Sequence, residues 1–440
     1  MSATVGIYTL GCKVNQYESE AIAEAFSKKG FCVQSPTLPC DVYVINTCTV
    51  TAESDRKARQ FIRRARKNNP LAFVLVTGCF SQTQPEAVAS IEGVDFVCGN
   101  ADKLSVVTAA QQLTEQKQKN DAARVCVIPP DAHGFEKMQI SRFDRTRAYV
   151  KIEDGCESHC TYCISPSARG KIRSKAPEDV LDEVRRLTEN GCREIVLTGI
   201  ETASYGKDLN GYSLADLLCA VDQIPNVGRI RLGSLDPSLM KQAFVDRIAG
   251  LHSLAPHFHL SMQSGSDRIL SLMKRKYNAK QALDGIERLR RAIPGAQFTT
   301  DMIVGFPNET EEDFLQSIEF AKQAGFLMIH VFPDSKRKGT PAATMSGQIP
   351  EEIKHERVKL LSQTAQEIRQ KILDGMTGQT VTLLTETYED GVARGHTDSF
   401  VEVAFPTEHF GHAEVVNVRI LGNNGTLCHG ERIQPMKGEA

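Results

Sequence analysis

AYVKIEDGCESHCTYC, residues 148–163, decides the reading of this chain. An alternating apolar run gives way to a loop that carries Cys156, Cys160 and Cys163 in a C-x3-C-x2-C spacing. Three thiolates on one short loop can hold three irons of a cubane cluster, which leaves the fourth iron open to a small chelator. The amino and carboxylate groups of S-adenosylmethionine suit that corner, and an electron from such a cluster can break the sulfonium and release a carbon radical. A structural zinc site is the alternative. It wants four ligands, and His159, the immediate neighbour of Cys160, is the only fourth candidate nearby.

Outward from this loop, strand-like runs alternate with helical patterns from 147 to about 333: AYVKI (148–152), EIVLTGI (194–200), RIRLGSL (229–235), HFHLSM (257–262), QFTTDMIVG (297–305) and LMIHVFP (327–333). Six strand–helix units predict an open version of the β/α barrel, with its site at the C-terminal ends of the strands. Upstream, GIYTL (6–10), VYVINT (42–47), FVLVTG (73–78) and DFVCG (95–99) alternate with helical stretches, which predicts a parallel sheet flanked by helices. A polar stretch near 112–146 reads as a linker with little core of its own. Residues 350–374 read as one long helix, and 376–440 as a small all-β barrel. The expected class is thus α/β, divided at 1–112, 113–146, 147–374 and 375–440.

The chain has 440 residues, 41% hydrophobic and 24% charged, with a net charge of −2. That is a globular, multi-domain composition with no blunt nucleic-acid signal, so any polyanion site must be a local patch. The first twenty residues lack the features of a secretory signal. No apolar run reaches the ~18 residues of a membrane span. A cytoplasmic location with no membrane partner is expected, where thirteen cysteines point to metal or catalysis rather than disulfides.

Three more cysteines each follow a strand: Cys12 after GIYTLG, Cys48 after VYVINT and Cys79 after FVLVTG. In a parallel sheet these strand ends emerge on one edge, where ligands commonly bind. The thiols can therefore converge as a second cluster site, the alternative being incidental core thiols. Cys32, Cys40, Cys98, Cys126, Cys192, Cys219 and Cys428 show no such arrangement and read mostly as small buried hydrophobes.

The cysteine loop after the first strand of a six-unit β/α chain resembles the radical S-adenosylmethionine (SAM) superfamily. Joined to TLGCKVNQYESE, INTCTVT and VTGC, it resembles the methylthiotransferases in particular. The SDRKARQ, KRKGTPAA and RIRLGSLDP segments are most similar to the branch acting on N6-threonylcarbamoyladenosine at position 37 of tRNA. The resemblance covers nearly the whole chain and implies two 4Fe–4S clusters, held by Cys12, Cys48 and Cys79 and by Cys156, Cys160 and Cys163. It also implies SAM as methyl donor and radical source, a radical that takes hydrogen from C2 of adenine, and a small C-terminal barrel of the kind called TRAM. Tyr162 is implied against the cofactor's adenine, with Thr198, Gly199, Ser234, Gln263 and Asp301 as cofactor-side residues at strand ends. The implied partners are the tRNA anticodon stem-loop and a reductant such as flavodoxin or ferredoxin. The sulfur donor and any acid–base residue stay unassigned. Ser165, Ser167, Lys175, Asn308 and Asp334 depart from the residues common in relatives.

Two basic segments are candidate RNA contacts. RKARQFIRRARK puts seven cations into positions 56–67, with Arg56, Arg59, Arg63 and Arg66 at helical spacing, and SKRKG spans 335–339. Arg169 and Arg173 are further candidates for neutralising a carboxylate or phosphate. The tail holds four Lys/Arg (Arg394, Arg419, Arg432, Lys437) against nine Asp/Glu, so it offers no broad attractive field. The remaining alternatives are the same chemistry on isopentenylated adenosine or on a ribosomal-protein aspartate, an electron carrier, and a zinc-holding RNA-binding protein.

Overall fold

The computed structural model describes residues 2–116, 122–143 and 145–433; Lys437, counted in the tail's charge, and parts of the expected linker lie outside the described residues. The N-terminal unit is a parallel sheet of β1 (Thr4–Thr9), β2 (Cys32–Gln34), β3 (Val42–Thr47), β4 (Phe73–Gly78), β5 (Phe96–Cys98) and β6 (Arg124–Cys126), in the order β2-β1-β3-β4-β5-β6. Every residue of β3 and β4 is buried, as their near-continuous apolar sequences require of strands covered on both faces. Helix α1 (Lys13–Lys28) follows β1, α2 (Ala52–Asn68) follows β3 and α3 (Cys79–Thr83) follows β4. The edge strands β2 and β6, three residues each, are too short to carry a periodic signal. β6 and the buried Met138 and Ile140 come from the stretch expected to be plain linker.

The central unit holds β7 (Ala148–Lys151), a short pair β8 (Glu153–Asp154) and β9 (Arg173–Ser174), then β10 (Glu194–Thr198), β11 (Arg229–Leu232), β12 (His257–Gln263), β13 (Gln297–Val304) and β14 (Met328–Pro333). Parallel ladders run β7-β10-β11 and β12-β13-β14, and parallel bridges Ile230–Leu254 and Leu235–Leu260 join the two halves. The result is the expected six-strand open barrel. A 24-residue helix, Glu351–Asp374, leads to a closed barrel of β15 (Thr380–Glu389), β16 (Val392–Thr397), β17 (Glu402–Pro406), β18 (Val415–Asn423) and β19 (Cys428–Arg432). Among the described residues no helix is long and apolar enough to cross a membrane.

The tail barrel closes the floor of the central one. Glu194, Arg229 and His257 open β10, β11 and β12, so they lie at the strands' N-terminal ends. There Glu194, fully buried, meets Arg147 at 2.7 Å and Arg229 and Arg231 at 2.9 Å. The turn after β16 reaches these groups. Arg231 donates to the carbonyls of Thr397 (3.2 Å) and Asp398 (3.0 Å), and Phe400 stacks between His257 and His396 with both ring centroids 4.6 Å away. Burial alone would raise the Glu194 carboxyl, yet Arg231 and Arg147 hold it well below the carboxylate range. Its stabilising contribution is therefore present above the unfolded value of roughly 4.3 and is lost as pH falls towards the lower folded value. Glu194→Gln leaves Arg231 with backbone carbonyls alone as acceptors, while Arg147 keeps Glu386 and Arg229 keeps Asp398, at a cost of about 3–5 kcal/mol. Thermal unfolding at pH 7 should show that loss, with the gap between variant and wild type closing as the pH is lowered from 5.

Candidate active site between two cysteine triads

The loop that leaves β8 is shaped by Gly155. Its φ is +92°, and a Cβ there would sit 1.9 Å from the carbonyl oxygen of Lys171, so only glycine lets the loop pass this close to the backbone before β9. Cys156 then donates its backbone N–H to Gly170 O at 3.0 Å. Each thiol sulfur of this triad accepts an N–H: Cys156 from Ser158 N (3.5 Å), Cys163 from Ser165 N (3.4 Å) and Cys160 from Arg275 Nη1 (3.1 Å). Arg275 is itself held by Asp236 at 2.7 Å. Burial pushes the Cys156 and Cys163 thiols up, Glu201 adding to the first and Cys160 to the second. His159 sits at φ +47°, exposed. Among the described residues no three His, Cys, Asp or Glu side chains are gathered closely enough for a single metal ion. An all-sulfur donor set with an N–H aimed at each sulfur fits a cluster, whose sulfurs take such bonds, better than zinc with a histidine.

The N-terminal triad depends on two glycines in the same way. A Cβ on Gly11 (φ +99°) would meet Cys48 Sγ at 2.9 Å, and one on Gly78 (φ +103°) would meet Thr47 O at 2.4 Å. Close approach of the three strand ends follows. Cys12 is exposed at the sheet edge, whereas Cys48 and Cys79 are buried; burial lifts Cys48 to about 11, with Cys79 and Cys12 adding to the shift, so the three thiols share one locality. Cys79 Sγ accepts from Arg169 Nε at 3.3 Å and from Asn100 Nδ2 at 3.5 Å. No fourth ligand from the described residues completes this set either.

Arg169, 1% exposed, joins the two loops. Its guanidinium reaches Glu18 (2.6 Å), Asn15 Oδ1 (2.6 Å) and Asp154 (3.3 Å), the last lying two residues before Cys156. Lys151 bridges the same two carboxylates at 2.8 and 2.6 Å, and Lys103 also pairs with Glu18. Three buried cations thus meet two carboxylates beside Cys79. The sequence reading named Arg169 but missed its partners. Lys151 inside the strand AYVK was the available signal, since a lysine in a buried strand needs a counter-charge.

One cavity of about 250 Å³ is walled by both units: Val50 and Thr51 follow Cys48, and Tyr162 and Cys163 belong to the other loop. Of the residues expected around the cofactor, Tyr162, Gln263 and Asp301 line this cavity, whereas Thr198, which ends β10, Gly199 just past it and Ser234 beyond the end of β11 stand outside its walls. Gln263 takes φ +69° at a register shift in β12, strain of the kind stored at functional sites. Asp301 pairs with His259 at 3.2 Å. Glu201 was missed: it sits 3.2 Å from Cys156 Sγ and accepts from Ser158 Oγ at 2.9 Å.

The departures from the common pattern have local reasons. Asn308 takes φ +66°, a conformation that suits glycine and that asparagine tolerates, and it donates to Ser346 O at 3.0 Å. Lys175 is buried in an ion pair with Glu183. Ser165 supplies the N–H to Cys163. Asp334 lines the cavity, where burial pushes its carboxyl up to about 6. Nothing in the structure explains Ser167.

The profile described as "Radical SAM superfamily" matches residues 150–321, and that described as "Uncharacterized protein family UPF0004" matches residues 4–99. Among solved structures, the radical S-adenosylmethionine methyltransferase TsrM from Kitasatospora setae is similar with a TM-score of 0.58 at 18% identity, over 78% of this chain and 77% of that one. The fold is that of a radical SAM enzyme, which implies a 4Fe–4S cluster and SAM. Among relatives by sequence, "Threonylcarbamoyladenosine tRNA methylthiotransferase MtaB" of Bacillus subtilis is 38% identical over 99% of this chain and 98% of its own. "tRNA-2-methylthio-N(6)-dimethylallyladenosine synthase" of Staphylococcus haemolyticus is 34% identical over 94% and 82%. The chain belongs to the radical SAM methylthiotransferase family. Gly155→Ala should distort the cysteine loop at a cost of about 1–3 kcal/mol. Anaerobic reconstitution should then give markedly less iron per chain than wild type.

Proposed function

We propose that the protein is a tRNA methylthiotransferase that converts N6-threonylcarbamoyladenosine beside the anticodon to its 2-methylthio derivative, with two 4Fe–4S clusters. The observation that carries this reading is the shared cavity, walled on one side by the segment after Cys48 and on the other by Tyr162 and Cys163. Cys156, Cys160 and Cys163 hold one cluster; Cys12, Cys48 and Cys79 hold the other. A bound cluster with SAM supplies the electron that cleaves the sulfonium and yields a carbon radical. This chain's residues do the rest. Tyr162, Gln263 and Asp301 wall the cofactor, with Thr198, Gly199 and Ser234 at strand ends beyond. Arg275 and Arg169 each supply an N–H to one ligand sulfur. The two loops confine the target base so that only one C–H bond meets the radical. An anticodon loop suits such a cavity because its bases splay out without opening a duplex. The reductant is of the flavodoxin or ferredoxin kind.

Lys13 favours the threonylcarbamoyl substrate over the dimethylallyl one. It follows Cys12 at the start of α1, is half-buried, and has no hydrogen bond or ion pair among the described residues. Burial and the nearby Arg231 and Arg147 lower its ammonium from the usual lysine range, and Asp301, a wall of the cavity, opposes them, so an incoming carboxylate would strengthen the charged form. A threonylcarbamoyl group brings a carboxylate to such a cation, and a dimethylallyl group brings none.

Mass spectrometry of tRNA nucleosides from a deletion strain tests the assignment: the 2-methylthio derivative should vanish and return with the wild-type chain. Persistence of the derivative in the absence of any second enzyme would sink it. Replacing either triad with alanine should remove about four of about eight irons. The Cys156/Cys160/Cys163 variant should lose 5′-deoxyadenosine release, and the Cys12/Cys48/Cys79 variant should keep it without methylthiolated product. Lys13→Gln should weaken binding of a threonylcarbamoylated stem-loop about tenfold to a hundredfold, as loss of a charge-assisted bond does, and leave the dimethylallylated one unchanged.

A further inference from the structure

The solvent half of α2 is strongly basic. After Asp55 it holds seven cations and no acid through position 67. Its apolar stripe, Ala58, Ile62 and Ala65, is buried against the sheet. The structure alters the expected stripe of Arg56, Arg59, Arg63 and Arg66. Arg56 is paired with Glu53 at 2.6 Å. Arg66 spends one nitrogen on the carbonyls of Pro70 (2.8 Å) and Ala72 (3.0 Å). Arg59 lies over the Phe80 ring at 5.2 Å. Lys57, Arg63, Arg64 and Lys67 are exposed and make no ion pair among the described residues. Arg59, Arg63 and Arg66 also line a recess of about 450 Å³ with Ser90, Ile91 and the carboxylate of Glu92.

This face starts at the active cavity. Val50 and Thr51, just before α2, are part of its wall. Arg337, buried, ties the loop after β14 to the first turn of α2 through Asp55 (2.7 Å) and Thr49 Oγ1 (2.6 Å). Lys336 and Lys338 flank it, exposed, while Ser335 of the same loop lines the cavity. Cations therefore run from the cavity rim along α2 for about 16 Å, at 1.5 Å per residue.

We infer that Lys336, Lys338 and the Lys57/Arg63/Arg64/Lys67 face of α2 form one track for the phosphates of the RNA strand that leaves the cavity. The inference rests on the tRNA reading above and deepens it by locating the backbone grip on the N-terminal unit rather than on the acidic tail. Charge complementarity selects the occupant: a series of free cations that begins where the target base must enter fits a polyanion continuous with that base. Phosphate contacts position without reading sequence, so the track should act alike on modified and unmodified loops.

The test uses the full-length, reconstituted protein and an anticodon stem-loop RNA, with binding followed by fluorescence anisotropy across a salt series. The triple variant R63A/R64A/K67A should bind at least tenfold more weakly at low salt. Its slope of log affinity against log salt should be shallower by about two to three, equally for modified and unmodified loops. K336A/K338A, on a separate element, should lose about one to two units of slope. Both should keep the thermal midpoint and RNA-independent release of 5′-deoxyadenosine. Unchanged affinity and slope in both variants overturns the track, as does unchanged RNA binding with slower reduction by flavodoxin, which would give the surface to an acidic redox partner. If the wild-type protein binds no stem-loop at any salt, the tRNA reading falls and takes the track with it.

Discussion

The Glu18 carboxylate anchors the structure. It lies on α1, fully buried, and gathers Lys103 from the N-terminal unit, Lys151 from the first barrel strand and Arg169 from the helix after the cysteine loop. A group of buried charges is a poor source of net stability, because desolvation cancels most of the attraction. What it supplies is geometry. None of these groups can move without leaving an uncompensated charge in a dry interior, so the N-terminal sheet and the barrel are locked in one relative placement. That placement brings the segment after Cys48 to the wall that holds Cys163. With independent hinging of the two units, the cavity between the triads would have no fixed width.

Much of this was legible in the sequence, for a physical reason in each case. The C-x3-C-x2-C spacing is local, so the loop and its chemistry could be read at once. The N-terminal cysteines could be read because a parallel sheet sends every strand end to one edge, which turns separations of 36 and 31 residues into neighbours. The six barrel strands are long enough to show their apolar pattern. What escaped is what sequence does not encode locally. The pairing of Glu18 with Arg169 spans 151 residues, and no window contains both. Arg275 reads as one cation in LMKRKY, and only the fold shows that it reaches Cys160.

The basic helix shows the limit of periodicity from the other side. Spacing picked out Arg56, Arg59, Arg63 and Arg66 on α2 but could not tell which arginines were already engaged, and Arg63 is the one of the four that is exposed without an ion pair among the described residues. Arg66 is drawn back to the carbonyls beyond the helix end and Arg56 to a carboxylate one turn earlier, and Arg63, Arg64 and Lys67 make no ion pair among the described residues. Likewise, of the strand-end residues expected around the cofactor, Gln263 and Asp301 wall the cavity with Tyr162, and Thr198, Gly199 and Ser234 do not. Gln263 owes its place to a register shift that composition does not announce.

The seating of Phe400 between two histidines, over Arg231, has a bearing on how such chains diversify. A terminal barrel joined by a single helix looks like an exchangeable appendage. Here its turn stoppers the base of the reaction chamber, gives two carbonyls to Arg231 and pairs Asp398 with Arg229. A grafted replacement would have to bring an aromatic stopper and acceptors for Arg229 and Arg231, so recombination at this junction is constrained by the chamber as well as by what the barrel grips outside it.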